Sequence, residues 1–285
     1  MKSFCLYLAL LCGLATSVTA ANEPERPRLV VNIVIDGFQP EHLTTLWNLF
    51  DKGGFRRLYS QGAVCRQAYY PILSAGATSD YATIACGTTP FNHGITGKQY
   101  YDRKTGKLQL SLADPAAAGI GTQETLSPKP LLASTVSDEL KMNSGGKSHV
   151  FAIGINSQEA VMLAGHAADG AVWIDNASGN LATTSFYPLG LPRWADQINV
   201  DHSLSNALTT EWTPLNPINT YIFPPKRNDA AKGFVYSNTG SSVSERVQQF
   251  KQTPFVNQTI KNIALKALEA EKLGQGSSPD YLGLQ

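Results

Sequence analysis

The sequence lacks an excess of either charge. It has 23 lysine and arginine residues and 22 aspartate and glutamate residues. Lys2 is the one charged residue among the first twenty, so subtracting it from the 23 leaves residues 21–285 with 22 charges of each sign. Proteins whose main partner is nucleic acid carry a clear basic excess, because they neutralise phosphates. The balance predicts no nucleic-acid partner.

The sequence also lacks a hydrophobic run long enough to cross a membrane. The apolar stretch at 4–15 follows Lys2 and precedes the small residues Ser17-Val18-Thr19-Ala20. This order is typical of a secretory signal peptide, whose apolar core is shorter than a spanning helix. We predict a signal peptide at residues 1–20, no integral membrane segment after its removal, and a periplasmic or secreted location.

Cysteine is scarce, with four in the chain. Two of them, Cys5 and Cys12, would leave with the signal peptide. Cys65 and Cys86 remain, and in an oxidising compartment one disulfide is possible. Because each lies in an apolar stretch, two small buried thiols are the preferred interpretation.

Strand patterns alternate with helix patterns along residues 21–285, which predicts a mostly parallel sheet covered by helices. The run at 29–35 is almost entirely branched and aliphatic, as expected of a central strand buried on both faces. Residues 189–233 are rich in Pro, Asn and Trp without periodicity, and we predict a loop-rich cap or insertion there. The other predicted strands are 63–70, 149–155, a hairpin of 171–175 with 181–187, and 279–284; the predicted helices are 41–50, ending at Gly53-Gly54, 79–86, 134–142 and 254–273.

Two places carry side chains with the chemistry of a site. Asp36 follows the first predicted strand, and α/β sheets place their ligand sites at the carboxyl ends of strands. On local sequence alone, a simple turn at Asp36-Gly37 is the preferred interpretation. Ser74, Thr78 and Ser79 precede or begin a short helix, where hydroxyl groups act as helix caps or as nucleophiles.

The order of several motifs resembles a known family. The chain resembles the phosphate-irrepressible alkaline phosphatases and their nucleotide pyrophosphatase relatives, in the type I phosphodiesterase branch of the alkaline phosphatase superfamily. The resemblance covers nearly all of residues 21–285. The motifs that carry it are Val30-Val31-Asn32-Ile33-Val34-Ile35-Asp36-Gly37, Gly53-Gly54-Phe55-Arg56-Arg57-Leu58, Gly87-Thr88-Thr89-Pro90-Phe91-Asn92-His93-Gly94-Ile95, Tyr101-Asp102-Arg103, Ser137-Asp138-Glu139-Leu140-Lys141 and Ala164-Gly165-His166-Ala167-Ala168-Asp169-Gly170-Ala171-Val172-Trp173.

The resemblance implies a three-layer α/β/α domain at 21–285. It implies hydrolysis of phosphate monoesters or diesters outside the cytoplasm through a covalent phospho-enzyme, with two zinc ions in the family's site. The expected partner is a small phosphate ester or a nucleotide. Asp36 matches the family's metal-binding aspartate at the end of the first strand.

At the other positions that match the family's functional residues, this chain has different residue types. The family nucleophile lies ten residues before the glycine matched by Gly87, and ungapped counting reaches Ala77, which has no hydroxyl. Thr78 is the preferred candidate, Ser79 is adjacent to it, and a three-residue insertion would select Ser74.

The family's phosphate-binding residues also differ in type. Its phosphate-contacting Asn matches Lys98, which could hold a phosphate oxygen. Its Lys-x-Arg pair matches Asn156 and Gln158, whose neutral amides would bind phosphate more weakly.

The family's remaining metal ligands come after the strand predicted at 279–284, with which the chain ends. We therefore expect the chain to be truncated at its carboxyl end and impaired or unstable unless extended. A second interpretation is a catalytically degenerate phosphatase-like envelope protein that binds a ligand, favoured by Ala77, Asn156 and Gln158.

Overall fold

The computed structural model describes residues 26–69, 72–73, 76–217 and 235–285. The predicted signal peptide and Ser74 lie outside the described residues. So does part of the predicted cap, at 218–234.

Eight strands are described, and six of them form one sheet in the order β1-β8-β5-β6-β7-β4. The first four of these run parallel, and β7 and β4 are antiparallel to their neighbours. The sheet is therefore mostly parallel, as predicted. The strands are β1 Leu29–Ile33, β2 Gln99–Asp102, β3 Lys107–Leu110, β4 Gly119–Ile120, β5 Val150–Gly154, β6 Gly170–Ile174, β7 Leu181–Thr184 and β8 Asp280–Leu284, with β2 and β3 forming a separate antiparallel hairpin.

The helices lie on both faces of the sheet, which gives the predicted three layers. Successive residues of a strand point to opposite faces, so Ala152 belongs to one hydrophobic core and Phe151 and Ile153 to the other. The first core includes α3, α5 and α6, and the second includes α7 to α10. The helices are α1 Pro40–Thr45, α2 Gly54–Gln61, α3 Ala77–Cys86, α4 Pro90–His93, α5 Val136–Asn143, α6 Ser157–Ala164, α7 Arg193–Val200, α8 Ser203–Ala207, α9 Val243–Lys251 and α10 Phe255–Ala270, with a 3₁₀ turn at Trp47–Leu49.

Most predicted elements are confirmed within one to three residues. The predicted hairpin forms, with Trp173 opposite Ala182. The predicted helix at 79–86 is α3, and Gly87 ends it in the left-handed conformation, with a φ of 63°, which glycine adopts without a steric penalty.

Three predictions about the first third of the chain are wrong. The segment at 63–70 pairs with no strand along its described part, and the strand that lies beside β1 is β8. Consequently Cys65 is exposed rather than buried, and both Cys65 and Cys86 are free thiols. The helix predicted at 41–50 breaks into α1 and the 3₁₀ turn, and Gly54 begins α2 instead of ending a helix.

The position of β1 also differs from the prediction. In the described sheet β1 is an edge strand, and Val31 and Ile33 are 43% and 59% exposed. The predicted last strand, β8, lies between β1 and β5 and is mostly buried. Composition alone did not distinguish the two, since both are rich in aliphatic residues.

The range predicted as a loop-rich cap contains two helices. Trp194, Ile198 and Leu204 on α7 and α8 are buried in the second core.

In the described part of the chain, no helix is both long enough and apolar enough to span a membrane.

A buried carboxylate joins α5 to the motif Gly165-His166. Asp138 caps α5 through the backbone N–H of Thr135 (2.9 Å) and accepts from the N–H groups of His166 and Ala167 (both 2.7 Å). It also contacts His166 Nδ1 at 2.9 Å. Gly165 has a φ of +76°, and a Cβ there would overlap Thr135 Oγ1 and Asp138 Oδ1. This motif therefore holds the fold together.

Candidate functional site

The carboxyl ends of three neighbouring parallel strands meet at one edge of the sheet. Asp36 follows β1, Gln285 follows β8 and Asn156 follows β5. Gln285 Nε2 donates to Asp36 Oδ2 at 3.2 Å, and the Asn156 backbone N–H donates to Gln285 Oε1 at 2.9 Å. Asp36 thus lies where parallel α/β sheets place ligands.

Asp36 is also joined to α3. The hydroxyl of Tyr81 donates to Asp36 Oδ2 at 3.2 Å. Burial, followed by the charge of Asp36, raises the pKa of Tyr81 well above its usual value of 10.0. The tyrosine therefore stays a neutral donor that directs the carboxylate toward the amino-terminal half of α3.

Thr78 lies on the first turn of α3 and has no exposed surface. Its hydroxyl donates to Glu159 Oε1 on α6 at 3.0 Å. Glu159 is 3% exposed. Burial is the main reason that its pKa is raised above 4.5, while the charge of Lys98 opposes that rise.

Thr78 and Tyr81 are three residues apart in a helix, a spacing that places side chains on one face. The first contacts Glu159 and the second contacts Asp36. Two carboxylates therefore approach the same face of α3, and the charge of Asp36 contributes to raising the Glu159 pKa.

Ser79 points away from this group. It is fully buried, and its hydroxyl donates to the carbonyl of Ile95 at 2.9 Å. His93 lies beside it, with Nδ1 accepting from the Ile95 N–H and Nε2 3.0 Å from Thr83 Oγ1. Burial lowers the His93 pKa. Ser79 and His93 therefore connect α3 to the loop after α4.

The three predicted phosphate-binding residues lie in different surroundings. Lys98 is exposed, yet its charge acts on Glu159. Asn156 is half-buried and lines a cavity of about 850 Å³ together with Asp36 and Gln285. Gln158 is 1% exposed, and its Oε1 accepts no hydrogen bond from the described residues.

A second lysine reaches the same cavity from α9. Lys251 Nζ donates to the carbonyl of Ile174 and to Asn176 Oδ1, both at 2.7 Å, at the carboxyl end of β6. Burial lowers the pKa of Lys251 to about 8. The lining of the cavity thus includes the polar residues Asp36, Asn156, Gln285 and Lys251 together with apolar residues of β1 and α10.

The described residues do not fit a zinc ion on their own. A zinc site uses three or four protein ligands. Across residues 26–69, 72–73, 76–217 and 235–285, no three His, Cys, Asp or Glu side chains come together. Asp36 Oδ2 already accepts from Tyr81 and Gln285.

Four residues of this region were not predicted from the sequence: Glu159, Tyr81, Gln285 and Lys251. The burial of Glu159 could have been predicted from the sequence, because it directly precedes the apolar run Ala160–Ala164, and a charged residue in such a place is buried only with a partner. Tyr81 is at helical spacing from Thr78. For Gln285 and Lys251 the sequence carries no such signal, since only the tertiary fold brings them to the sheet edge.

Comparison with known proteins points to one family. Residues 30–266 match the family described as type I phosphodiesterase / nucleotide pyrophosphatase. Alkaline phosphatase PhoV of Synechococcus elongatus is 29% identical, with 91% of this chain and 49% of PhoV covered. A protein of Myroides odoratus named calcium-transporting ATPase is 27% identical, with 97% of this chain and 55% of that protein covered.

A solved structure shows the same fold. The crystal structure of wild-type alkaline phosphatase PafA superposes with a TM-score of 0.81 at 24% identity, covering 92% of this chain and 53% of PafA. The chain spans about half the length of the curated relatives it matches.

Proposed function

Because the chain belongs to the type I phosphodiesterase / nucleotide pyrophosphatase family, we propose that it hydrolyses phosphate monoesters or diesters, with a small phosphate ester or nucleotide as substrate. One observation carries the proposal. Asp36, at the end of β1, is joined by Tyr81 to the helix whose first turn bears the Thr78 hydroxyl. A carboxylate and a hydroxyl thus share the ligand-binding edge of the sheet.

The reaction proposed is transfer of the phosphoryl group to a protein hydroxyl, followed by hydrolysis of the phospho-enzyme. Thr78 is the proposed nucleophile. It lies on the first turn of a ten-residue helix, where the helix dipole stabilises negative charge. Its oxygen has no exposed surface, so an ester reaches it only after the covering atoms move aside. Ser74 and Ser79 are the alternatives.

Lys98 is the proposed cationic contact for a phosphate oxygen, because its charge acts within this group of side chains. Asn156 is proposed as a neutral contact, since it lines the cavity beside Asp36. Gln158 is proposed as a further one, through its Nε2 group, because an amide NH₂ is the donor that a phosphate oxygen can accept from. Neutral amides hold phosphate less tightly than lysine and arginine, so weak substrate binding is expected.

Zinc is proposed from the resemblance, with Asp36 as one ligand; the described residues alone do not complete a zinc site. The proposed place of action is the periplasm or the extracellular space. The support for that location is the N-terminal order of Lys2, apolar core and small residues.

A second candidate is a non-catalytic protein that binds a phosphate-bearing ligand. The burial of both Thr78 and Ser79 favours it, as do the neutral side chains of Asn156 and Gln158. Such a protein would bind inorganic phosphate or a nucleotide without turnover.

Steady-state hydrolysis distinguishes the two candidates. The purified chain, supplied with zinc, is expected to release p-nitrophenol from p-nitrophenyl phosphate or bis(p-nitrophenyl) phosphate at a low rate, because the described residues do not make a complete zinc site. Turnover should fall on chelation with EDTA and return with zinc. Asp36→Asn should lower both turnover and bound zinc measured by mass spectrometry.

Asp102→Asn is the control, because Asp102 is a carboxylate whose hydrogen bonds in the described chain stay within the β2-β3 hairpin, to Lys104, Thr105 and Gln109. It should leave turnover and zinc content unchanged. Phosphate binding by calorimetry without release of p-nitrophenol from either ester would favour the binding protein instead.

A further inference from the structure

A second cavity, of about 680 Å³, lies at the edge of the sheet opposite to Asp36. Its walls come from the segment before β1, from the end of α5 with the turn that follows it, and from the segment before β8. The parallel strands begin at this edge, and five residues at about 3.3 Å each put it roughly 16 Å from the candidate site. Its polar lining includes Arg26, Arg28, Asn143, Lys147, Ser277 and Ser278.

The described lining of this cavity carries three positive charges and no negative one. Arg26, Arg28 and Lys147 form no ion pair with any residue that the structure describes. By contrast, Lys141 on α5 is paired with Asp169 at 2.7 Å. A concave site lined by charges of one sign attracts ligands of the opposite sign. The three cations therefore make this cavity a local attractor for anions in a chain that is close to neutral.

A buried carboxylate fixes the walls of the cavity. Asp280 is 2% exposed, and its two oxygens accept from the N–H groups of Gly274 and His149, both at 2.7 Å. The Asp280 N–H donates to the Arg28 carbonyl at 2.9 Å. The segment before β8 is thus tied to the segments before β1 and β5, while the carboxylate itself does not line the cavity. A site whose walls are fixed in advance loses less entropy when a ligand binds.

The side chains of the cavity offer the donors that a phosphate oxygen accepts. Guanidinium groups bind phosphate through two parallel N–H bonds, and lysine adds a compact charge. We propose that this cavity binds a phosphate-type anion, either as free phosphate or as the phosphate of an acidic lipid headgroup. This site goes beyond the proposed function and does not depend on it. The side chains with no hydrogen-bond partner in the described part of the chain are Arg26, Arg28, Lys147, Asn143, Ser277 and Ser278.

Isothermal titration calorimetry of the full chain with inorganic phosphate tests the site. EDTA is present, so that zinc-dependent binding beside Asp36 does not contribute. The wild type should bind phosphate saturably. The double variant Arg26→Gln/Arg28→Gln should bind it at least about tenfold more weakly, because two charge-assisted contacts are lost.

The matched control for this variant is Arg103→Gln/Arg193→Gln. It removes the same charge from two exposed arginines outside the cavity. Its affinity for phosphate should stay within about twofold of the wild type, because exposed distant charges are screened by salt.

Vesicles distinguish the two sources of the anion. Sedimentation measures binding of the full chain to vesicles of phosphatidylcholine alone and of an equal mixture with phosphatidylglycerol. A preference for the mixed vesicles that is lost in Arg26→Gln/Arg28→Gln and kept in Arg103→Gln/Arg193→Gln supports a lipid headgroup. Binding of inorganic phosphate without that preference supports a soluble anion.

Two results would overturn the inference. One is a wild type that neither binds phosphate saturably nor prefers the mixed vesicles. The other is binding that Arg26→Gln/Arg28→Gln leaves unchanged. If thermal unfolding shows that this variant does not fold, Lys147→Gln takes its place, and unchanged binding in Lys147→Gln contradicts the inference. None of these measurements uses ester hydrolysis, so their failure leaves the proposed function intact.

Discussion

Replacing Thr78 by alanine is expected to lower kcat for p-nitrophenyl phosphate by about a thousandfold or more, since removal of a covalent nucleophile forfeits most of an enzyme's rate advantage. The measurement is steady-state release of p-nitrophenol by the full chain. Thr78→Ser should recover a large part of the rate, because it restores a hydroxyl on the first turn of α3.

Thr83→Ala is the matched control for Thr78→Ala. It makes the same chemical change in the same helix, at a hydroxyl that bonds to the Ser79 carbonyl and faces His93. Its kcat should stay within a few-fold of the wild type. If Thr78→Ala is active and Ser74→Ala is not, Ser74 is the nucleophile and the assignment to Thr78 is wrong.

Asp138→Asn is expected to destabilise the fold by about 3 kcal/mol. The carboxylate accepts from three backbone N–H groups and contacts His166 Nδ1. An amide would turn an NH₂ group toward those donors and leave some of them unsatisfied. Thermal unfolding should show a fall in Tm of about 6 to 12 °C.

The pH dependence of unfolding gives a second check on Asp138. The hydrogen bond between His166 and Asp138 is the main reason that the pKa of His166 is raised above 6.5. Burial alone would raise the Asp138 pKa, but hydrogen bonds from His166, Thr135 and Ala167 outweigh it and hold the pKa below 3.8. The Asp138 contribution is present above pH 3.8 and lost as the pH falls through its lowered pKa. The His166 contribution is present below pH 6.5 and lost as the pH rises through its raised pKa.

The pair therefore stabilises the wild type most between about pH 4 and 6.5, and Asp138→Asn should lose that maximum. Asp102→Asn, which changes an exposed carboxylate bonded within the β2-β3 hairpin, is the control and should keep the Tm and the pH maximum close to those of the wild type. An Asp138→Asn protein that melts like the wild type across this range would contradict the structural role assigned to the Gly165-His166 motif.

Local patterns predicted most of the fold because local physical chemistry determines those elements. Apolar periodicity located α3, α5 and α10, and the turn residues 176–180 located the hairpin of β6 and β7. The strand prediction for 63–70 was wrong because a strand depends on a partner that is distant in the sequence. The residues of this segment suit a strand, but a strand forms only beside a partner, and the described part of this segment has none. The strand beside β1 is β8, which comes more than 200 residues later and could not be assigned from local patterns.

The residues of the candidate site also fall into two groups, those that the local sequence predicts and those that depend on tertiary packing. Asp36 could be predicted because the end of a parallel strand is a ligand site in any α/β sheet. Thr78 could be proposed from its place at the start of α3. Its burial and its hydrogen bond to Glu159 could not be predicted, since both depend on how α6 packs against α3. The same holds for Lys251, which arrives at the sheet edge from a helix 215 positions after Asp36.

Phosphoryl transfer to Thr78 leaves a covalent mark that can be detected on the protein. The full chain is incubated with zinc and p-nitrophenyl phosphate, quenched in acid, digested and analysed by mass spectrometry. We expect a peptide containing Thr78 that has gained the mass of one phosphoryl group, with fragment ions placing the group on that residue and no gain in Thr78→Ala. Release of p-nitrophenol with no phosphorylated peptide, or with the group on Ser74 or Ser79, would contradict it.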